Sequence, residues 1–434
     1  MLDLVFTSLN SVNDFIWSRL SFFLILGLGI YFTVISKSFQ VRKFTKILKM
    51  LTKPADEENR GSNPLKILFT AIGGSIGIGN IVGICTAIKI GGPGAIFWVW
   101  IAGFLGMILQ YSEVYLGMLY RKPNEAGGYD SGPMYFLPKA FKNKKLPSII
   151  VAALLSIYAV ELFMFNVITN SISINWHISK PLVVIALLFL IFFAVRGGIK
   201  RISKICMMIL PLFLVIYAIM SMWVLGHNLS SIPSIFLLIF KAAFSSQAAV
   251  GGFAGSTIML TISMGLSRGA YAGDIGIGYN AIIHAETKEK EPHKQASLSI
   301  IGIFFNTFIL CTISTLLILV TGTWNQNLDV TLMIQNALGA YFPYMQFFMP
   351  LFLFLLGYLT LITYFFVGLK CANYINAKRG KIFYYAYAII ALPLFAFITS
   401  TQALLLMSLS GAILLIINLV GMFMLRKEVH FDID

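Results

Sequence analysis

One stretch constrains the fold of this chain more than any other, the glycine-rich run from Gly73 to Asn80. It lies inside an apolar segment long enough to cross a bilayer, yet it holds four glycines within seven residues. Each glycine costs a helix about 1 kcal/mol relative to alanine, so we predict that the helix breaks here. Because lipid offers no hydrogen-bond partners, the opened backbone must be buried in protein or line a cavity. The run therefore predicts a binding site within the membrane.

The composition is that of a polytopic membrane protein. Of the 434 residues, 58% are hydrophobic and 11% are charged, and the mean hydropathy is +0.85. Soluble domains have about 25% charged residues. The net charge of +15 is spread over short loops between apolar runs, whereas a nucleic-acid-binding protein concentrates it on a soluble face. We therefore expect a lipid bilayer as the surroundings and no nucleic acid as a partner.

Apolar segments of about 17 to 25 residues mark the expected membrane crossings. We predict eleven crossings, of which the second and the seventh are interrupted by glycines. The predicted spans are residues 15–35, 66–90, 95–119, 148–176, 181–195, 205–225, 234–266, 296–320, 341–369, 382–400 and 403–425. The four cysteines fall within or at the ends of these spans, and we interpret them as small buried apolar residues.

The basic residues assign a side to each loop. If the loops after odd-numbered spans share one side with the C-terminal tail, that side holds all but four of the 32 Lys and Arg residues. Cytoplasmic loops carry such an excess. We therefore predict a multi-pass protein of the inner (plasma) membrane, with its N-terminus outside and its C-terminus in the cytoplasm.

The two glycine-rich spans suggest an internal repeat. After the first span is set aside, ten remain, and the second glycine run, Gly251 to Ser256, comes five crossings after the first. Such a pair is typical of two inverted five-helix halves with a site between their broken helices. The alternative is that the glycines only allow close helix packing. We predict an extra N-terminal helix and basic loop over 1–60, a first repeat over 61–228, and a second over 229–434 with a cytoplasmic link at 267–295.

Several motifs stand out between about Leu65 and Leu425. They are Gly77-Ile78-Gly79-Asn80-Ile81, the run from Gly91 to Trp100, Glu113, Tyr120-Arg121, Ser131-Gly132-Pro133-Met134-Tyr135, Gly252-Phe253-Ala254-Gly255, Ser267-Arg268-Gly269, Gly276-Ile277-Gly278 and His284-Ala285. Together they resemble the motifs of the alanine or glycine:cation symporter family. The resemblance implies an all-α fold like that of the leucine transporter, with an extra N-terminal helix, and transport of small amino acids with Na⁺.

The sequence departs from the family pattern at three places, which indicates a divergent member. Where the family reads Ser-Asn-Glu-Ala-Gly after Arg268, this chain has Ala272-Gly273-Asp274-Ile275-Gly276. A glutamine associated with the family's pocket is absent between Asn166 and Asn170. In the ninth span, Thr363-Tyr364 and Gly368-Leu369-Lys370 replace Gly-Trp and Gly-Glu-Arg. The pocket is therefore expected to differ from that of its relatives.

We predict the substrate site between the two glycine runs. The carboxylate of an amino acid suits the unpaired N–H groups at a half-helix N-terminus, and its ammonium suits carbonyl oxygens of the opposite broken helix. The predicted contacts are the backbone of Gly74, Ser75, Ile76 and Gly77 for the carboxylate, Gly252 and Gly255 for the ammonium, Asn80 for an amide contact, and Phe253 and Tyr364 for the pocket wall.

Na⁺ is the expected co-transported ion, and no organic cofactor is expected. As a hard cation it takes carbonyl and hydroxyl oxygens. The family resemblance places it between the second and ninth spans, where Thr360 and Thr363 share one helix face. Carbonyls near Gly73 and Ile76 would complete the site. The alternative is that both hydroxyls bond back to carbonyls of their own helix.

Four ionisable residues are candidates for a relay or a gate, since such residues within a membrane are functional candidates. Glu113, late in the third span, and Glu161, midway along the fourth, fit either a relay or a structural hydrogen-bonding role. Asp274 and His284 lie in the link after the seventh span, where a gate at the cytoplasmic mouth and a solvated loop both fit.

These observations predict a secondary active symporter that imports a small neutral amino acid with Na⁺ by alternating access. A proton-coupled transporter of another small zwitterion or organic solute is the alternative. From other classes, a polytopic membrane enzyme or a passive channel is considered. No His-Glu-x-x-His or Walker motif supports an enzyme, and inverted halves do not suit a channel filter repeated by symmetry. The sequence does not indicate the oligomeric state.

Overall fold

A computed structural model describes residues 2–51, 62–125, 127–245 and 258–432. The described part is almost wholly helical, with one antiparallel hairpin of β1 (Lys122–Pro123) and β2 (Tyr129–Asp130). The helices are α1 (Leu2–Phe15), α2 (Phe22–Ile35), α3 (Phe39–Arg42), α4 (Phe44–Met50), α5 (Pro64–Ser75), α6 (Val82–Gly91), α7 (Ala95–Leu119), α8 (Pro133–Ala140), α9 (Leu146–Tyr158), α10 (Leu162–Trp176), α11 (Lys180–Arg196), α12 (Gly198–His227), α13 (Ile232–Phe244), α14 (Ile258–Gly273), α15 (Tyr279–His284), α16 (Pro292–Ile303), α17 (Thr312–Val320), α18 (Met333–Gly339), α19 (Met345–Ile375), α20 (Gly380–Ala396) and α21 (Ser400–Met424).

Seven helical runs of the described chain are long and apolar enough to cross a membrane. Two of them contain π-helical segments, Ile16–Ser21 between α1 and α2, and Phe304–Cys311 between α16 and α17. The bent pair α5 and α6 makes an eighth if it counts as one span. The predicted all-α polytopic architecture is confirmed. The number of eleven crossings and the division into two five-helix repeats stay predictions.

The structure shows the break expected in the second span. α5 ends at Ser75, residues Ile78–Asn80 form a single 3₁₀ turn, and the two halves of the span meet at 62°. A Cβ added at Gly74 would overlap the Tyr279 hydroxyl and lie 2.5 Å from Oγ1 of Thr363. Glycine is therefore needed here for the close approach of α15 and α19 as well as for the break.

A second discontinuity lies between α14 and α15. Asp274, Gly276 and Gly278 have left-handed backbone, with φ of +52°, +71° and +100°, a region that glycine and, less often, aspartate adopt. α14 packs against α6, and α15 packs against α5. The helix pairs α5–α6 and α14–α15 therefore run antiparallel, with their breaks side by side.

This discontinuity is additional to the break expected at the second glycine run, which stays a prediction. The second glycine run, with Gly252, Phe253 and Gly255, lies outside the described residues. Residues 267–273, expected at the start of a cytoplasmic link, form the last turns of α14. Their polar side chains, including Ser267 and Arg268, are buried against neighbouring helices. The polar side chains of this segment therefore lie in the protein interior, although their sequence is typical of a solvated loop.

Helix α7 lies at the centre of the bundle and is buried along most of its length. It packs against α14, α15, α16 and the N-terminal helix α2. The N-terminal helices are also fastened to α21, since the Trp17 indole N–H donates to Oγ of Ser408 at 2.9 Å. The four cysteines are buried and free, as predicted.

Candidate functional site

A narrow pocket lies where the two breaks meet, with about 220 Å³ of empty space. Residues from both broken spans, from the junction of α9 and α10, and from α19 form its walls. The lining residues are Gly74, Ser75, Gly79, Asn80, Tyr158, Glu161, Met164, Tyr271, Ala272, Asp274, Thr360 and Tyr364. The pocket thus brings together members of the predicted substrate, ion and relay sets.

The backbone at the end of α5 offers carbonyl oxygens, not N–H groups. The N–H of Ile76 donates to the Ile72 carbonyl at 2.6 Å, and the N–H of Gly77 donates to Oδ1 of Asn80 at 3.0 Å. Those of Gly74 and Ser75 lie within α5. The C-terminal end of a helix carries the negative end of its dipole. The groups we assigned to a carboxylate are therefore at the wrong end of the half-helix for an anion.

The residues after the break differ from the end of α5 in the backbone groups that they leave unpaired. Among the described residues, the N–H groups of Ile78 and Gly79 have no hydrogen-bond acceptor, and the carbonyls of Gly73, Gly74 and Ile76 receive no hydrogen bond. Carbonyls that suit a cation thus end α5, and N–H groups that suit an anion begin the next helical turn.

Asn80 supports the break from within. Its Oδ1 holds the Gly77 N–H, and its Nδ2 donates to the Ala272 carbonyl at 3.4 Å and to Oδ1 of Asn306. Asn306 in turn donates to the Ala272 carbonyl and to the Ser75 carbonyl. This amide pair joins the first break to the end of α14. Sequence reasoning missed Asn306, although an amide within an apolar span was a usable signal.

Thr360 and Thr363 face the break. A Cβ at Gly77 would lie 2.7 Å from Oγ1 of Thr360, as one at Gly74 would be close to Thr363. Thr363 donates to the Leu359 carbonyl at 2.8 Å, and Thr360 donates to the Leu356 carbonyl at 3.4 Å. The two alternatives from the sequence are compatible, because bonding back uses the hydroxyl proton and leaves oxygen lone pairs for a cation.

Two carboxyl groups with an unpaired oxygen face the pocket. Glu161 lies at the junction of α9 and α10 with a φ of +55°, and Asp274 lies in the second break. They are 2% and 5% exposed. Oε2 of Glu161 and Oδ2 of Asp274 have no hydrogen-bond partner among the described residues. Asp274 thus belongs to the central pocket, not to a solvated link.

Tyrosines form much of the remaining wall. Tyr364 stacks on Tyr279 with ring centroids 4.2 Å apart and lies 5.7 Å from the ring of Tyr158. The hydroxyl of Tyr271 is buried without a partner among the described residues. Tyr158 and Tyr271 were missed from the sequence, because a tyrosine within an apolar run looks the same whether it lies in a core or in a site.

Glu113 and His284 lie outside the pocket lining. Glu113 accepts hydrogen bonds from the Ala281 N–H and from Nδ2 of Asn418, both at 3.2 Å, which joins α7 to α15 and α21. His284 is buried, with Nδ1 at 2.8 Å from Nε2 of Gln295. The geometry therefore favours the structural alternative for Glu113 and does not fit a solvated loop for His284.

The face that carries the basic loops, called here the basic face, has its own charged network. Lys370 at the end of α19 pairs with Glu286, which follows α15, and with Asp130 of β2 at 3.2 Å. Glu286 also accepts from the Tyr129 N–H at 3.4 Å. These contacts tie the ends of the second broken span and α19 to the hairpin.

Arg121 adds to the same network. Its guanidinium donates to the carbonyls of Ala285 at 2.9 Å and Thr287 at 3.0 Å, and it lies 3.9 Å above the ring of Tyr129. Burial lowers the pKa of Arg121, while the nearby Tyr129, Glu289 and Glu286 raise it. An arginine remains charged under such opposed influences.

Two antiparallel helix pairs, α5–α6 and α14–α15, are interrupted beside a buried pocket within a bundle of membrane-length helices, and such an arrangement is typical of a secondary transporter. The chain belongs to the sodium:alanine symporter family, whose sequence pattern matches residues 3–433. The predicted membership of a symporter family, and of no enzyme family, is thereby confirmed, and the protein is a multi-pass membrane protein.

Individual relatives agree with this assignment. The chain is 35% identical to the uncharacterized transporter YflA of Bacillus subtilis over 73% of this chain and 68% of that protein. It is 31% identical to the sodium/alanine symporter AgcS of Methanococcus maripaludis over 97% of this chain and 94% of that protein. A crystal structure of a variant of the Eremococcus coleocola manganese transporter matches with a TM-score of 0.52 at 15% identity, covering 84% of this chain and 77% of that one. This last likeness concerns the fold alone.

Proposed function

We propose that the protein imports a small neutral amino acid such as alanine or glycine, coupled to Na⁺, by alternating access across the plasma membrane. The observation that carries the proposal is the pairing of two broken spans around one pocket, with anion-binding and cation-binding backbone groups on opposite ends of the first break. The family assignment and the name of the relative AgcS support the choice of amino acid and ion.

The carboxylate of the substrate binds the unpaired N–H groups of Ile78 and Gly79. They begin the helical turn that leads into α6, so the positive end of the helix dipole lies there. Gly79 lines the pocket and has no side chain to hinder the ligand. This position replaces the backbone from Gly74 to Gly77 as the carboxylate contact.

The Na⁺ ion binds on the other end of the break. The carbonyl oxygens of Gly73 and Ile76 lack donors, and the hydroxyl oxygens of Thr360 and Thr363 face this backbone from α19. Oxygen ligands of this kind suit a hard cation. The negative end of the α5 dipole adds to the attraction.

The pocket limits the size of the substrate. The tyrosine rings and Met164 leave room for a short side chain. We propose that the basic face is cytoplasmic, with the N-terminus outside and the C-terminus inside, and that its network must open for both solutes to be released.

Uptake into proteoliposomes tests the proposal. We expect an inward Na⁺ gradient, and not an equal K⁺ gradient, to drive accumulation of labelled alanine or glycine. Thr360→Val and Thr363→Val should raise the Na⁺ concentration for half-maximal uptake about tenfold or more, because each removes an oxygen ligand. Thr315→Val is the matched control, since Thr315 is buried and bonds back to the Cys311 carbonyl of its own helix in the same way.

Two results would contradict the proposal. Uptake driven by a proton gradient without Na⁺ would favour the proton-coupled alternative. Equal flux with and without any cation gradient would favour a channel.

A further inference from the structure

We propose that Glu161 and Tyr271 form a hydrogen-bonding subsite for the side chain of the substrate, and that the pocket therefore prefers a small neutral amino acid with a hydroxyl group, such as serine, over its apolar isostere. The inference rests on the proposed function, because it takes the ligand of the pocket to be a small neutral amino acid. It goes beyond that function in naming the kind of side chain that the pocket selects.

The first observation is an unpaired carboxyl oxygen on Glu161. This residue lines the pocket and is only 2% exposed, yet its Oε2 has no hydrogen-bond partner among the described residues. Buried polar atoms are normally paired, and acidic residues within a membrane are commonly functional. Glu113 shows how this chain treats a structural carboxyl group, since both of its oxygens accept hydrogen bonds.

The second observation comes from a different helix. Tyr271, near the end of α14, lines the same pocket, is 7% exposed and has a hydroxyl group without a partner among the described residues. It lies close enough to Glu161 for the two groups to interact electrostatically. Two polar groups from separate elements of the chain are thus left without partners beside the same space.

The third observation is the chemistry that surrounds the Glu161 carboxyl group. The pocket lining contains no Lys, Arg or His, and a buried carboxyl group without a basic partner is more stable as the neutral acid. The other carboxyl group of the lining, that of Asp274, has the Tyr364 hydroxyl beside it and is not needed for the subsite. A neutral acid and a phenol can each donate and accept a hydrogen bond, as can a hydroxyl group of the substrate. The subsite therefore suits a hydroxyl group and requires no charge on the side chain.

The charged groups of the substrate have partners elsewhere in the pocket. The N–H groups of Ile78 and Gly79 are assigned to the carboxylate, and the carbonyl of Gly74, which receives no hydrogen bond among the described residues, is available to the ammonium. These groups belong to the first break, whereas Glu161 and Tyr271 come from the junction of α9 and α10 and from α14. The subsite is thus left for the side chain. An apolar side chain there would leave both polar groups unpaired, and a site built for a hydroxyl group rejects an analogue that lacks it.

The test compares two ligands of nearly equal size in binding to the purified full-length protein. They are serine and α-aminobutyrate, in which a methyl group replaces the hydroxyl group. Thermal stabilisation in detergent with NaCl is measured for each ligand, because a ligand that binds the folded state raises the unfolding temperature. We expect serine to reach half-maximal stabilisation at a concentration about tenfold or more below that of α-aminobutyrate, since only serine pairs both polar groups.

Variants locate the preference. Glu161→Leu removes a donor and an acceptor and should bring the ratio of the α-aminobutyrate concentration to the serine concentration to about one. Tyr271→Phe should lower the ratio partly, because one of two partners is lost. Tyr384→Phe is the matched control and should keep the wild-type ratio, since Tyr384 is 3% exposed and its hydroxyl also lacks a partner among the described residues, but it lies outside the pocket lining. Both ligands are measured on the same variant, so a loss of stability does not by itself change the ratio.

The outcomes separate this inference from the proposed function. Equal or tighter binding of α-aminobutyrate by the wild-type protein overturns the subsite, as does stabilisation by neither ligand, even if Na⁺-driven uptake of alanine or glycine is normal. A serine preference that is lost in Glu161→Leu supports the subsite, even if neither alanine nor glycine is transported. If Glu161 instead held the ammonium, Glu161→Leu would weaken both ligands equally and keep the ratio, which also overturns the subsite. Where Glu161→Leu does not fold, Tyr271→Phe decides, and an unchanged ratio in that variant overturns the subsite.

Discussion

Glu286 on the basic face and Glu161 in the central pocket are buried to the same extent, each only 2% exposed. Glu286 pairs with Lys370 and accepts from the Tyr129 N–H. Oε2 of Glu161 has no partner among the described residues, and the lining around it contains no basic side chain. The two carboxyl groups are therefore equally buried, but only that of Glu286 has a basic partner.

The difference shows where this protein is complete by itself and where a ligand completes it. On the basic face, the charged groups satisfy one another and hold the chain segments together. In the pocket, the cost of burying unpaired groups is already part of the fold, and such costs persist where function requires them. Substitutions in the two regions should consequently affect stability and transport in opposite proportions.

The largest effect on stability is expected for Lys370→Met. It leaves the buried Glu286 carboxylate without its partner, and breaking a buried pair in this way costs about 3–5 kcal/mol. The free energy of unfolding in detergent measures the loss. The exposed Lys378→Met is the control and should be neutral. The double variant Lys370→Met/Glu286→Gln should recover most of the loss, and full stability of Lys370→Met alone would show that the network does not hold the basic face.

A smaller effect is expected for Arg121→Lys. An ammonium cannot reproduce the planar fork that serves two carbonyls at once, so we expect a loss of about 1–3 kcal/mol. The same unfolding measurement applies. Arg426→Lys is the control, because Arg426 is half-buried and its guanidinium donates, among the described residues, to a single carbonyl, that of Phe423, at 3.0 Å. An equal cost in both variants would mean that the contacts to Ala285 and Thr287 contribute little.

The smallest effect on stability is expected for Glu161→Gln, at about 0.5 kcal/mol or less, or a gain. Oε2 of Glu161 has no hydrogen-bond partner among the described residues, so none is lost there, and the amide has nearly the same size as the carboxyl group that it replaces. Uptake of the substrate should nevertheless fall about tenfold or more. Parallel measurement of unfolding and uptake decides the matter, since a loss of stability like that of Lys370→Met would make Glu161 a structural residue and remove the contrast between the two regions.

The sequence identified the elements that depend on local chemistry. Hydropathy marked the membrane-length helices, and the low helix propensity of glycine placed the first break between Gly73 and Asn80. The spacing of Thr360 and Thr363 put both on one helix face, and the structure shows that face against the break. Each of these properties depends on neighbours within a few residues.

The discontinuity between α14 and α15 could not be predicted from local sequence patterns. Ser267, Arg268 and Asp274 look like part of a polar link, because hydropathy registers side chains and not what surrounds them. Packing against α5, α6 and α7 buries this segment as the interior end of α14 and the start of a break. The direction of α5 likewise decided that Gly74 and Ser75 present carbonyls to the site.

By itself, then, the sequence determined that the chain is a helical membrane protein with a broken span and a family relationship, since helix propensity and transfer from water to lipid act residue by residue. Only the tertiary structure decided which polar groups meet. Glu161 lies more than a hundred residues before Tyr271 and Asp274, and the three line one pocket because the junction of α9 and α10 meets the end of α14 there. Such convergence depends on the packing of the whole bundle, which no short stretch of residues encodes.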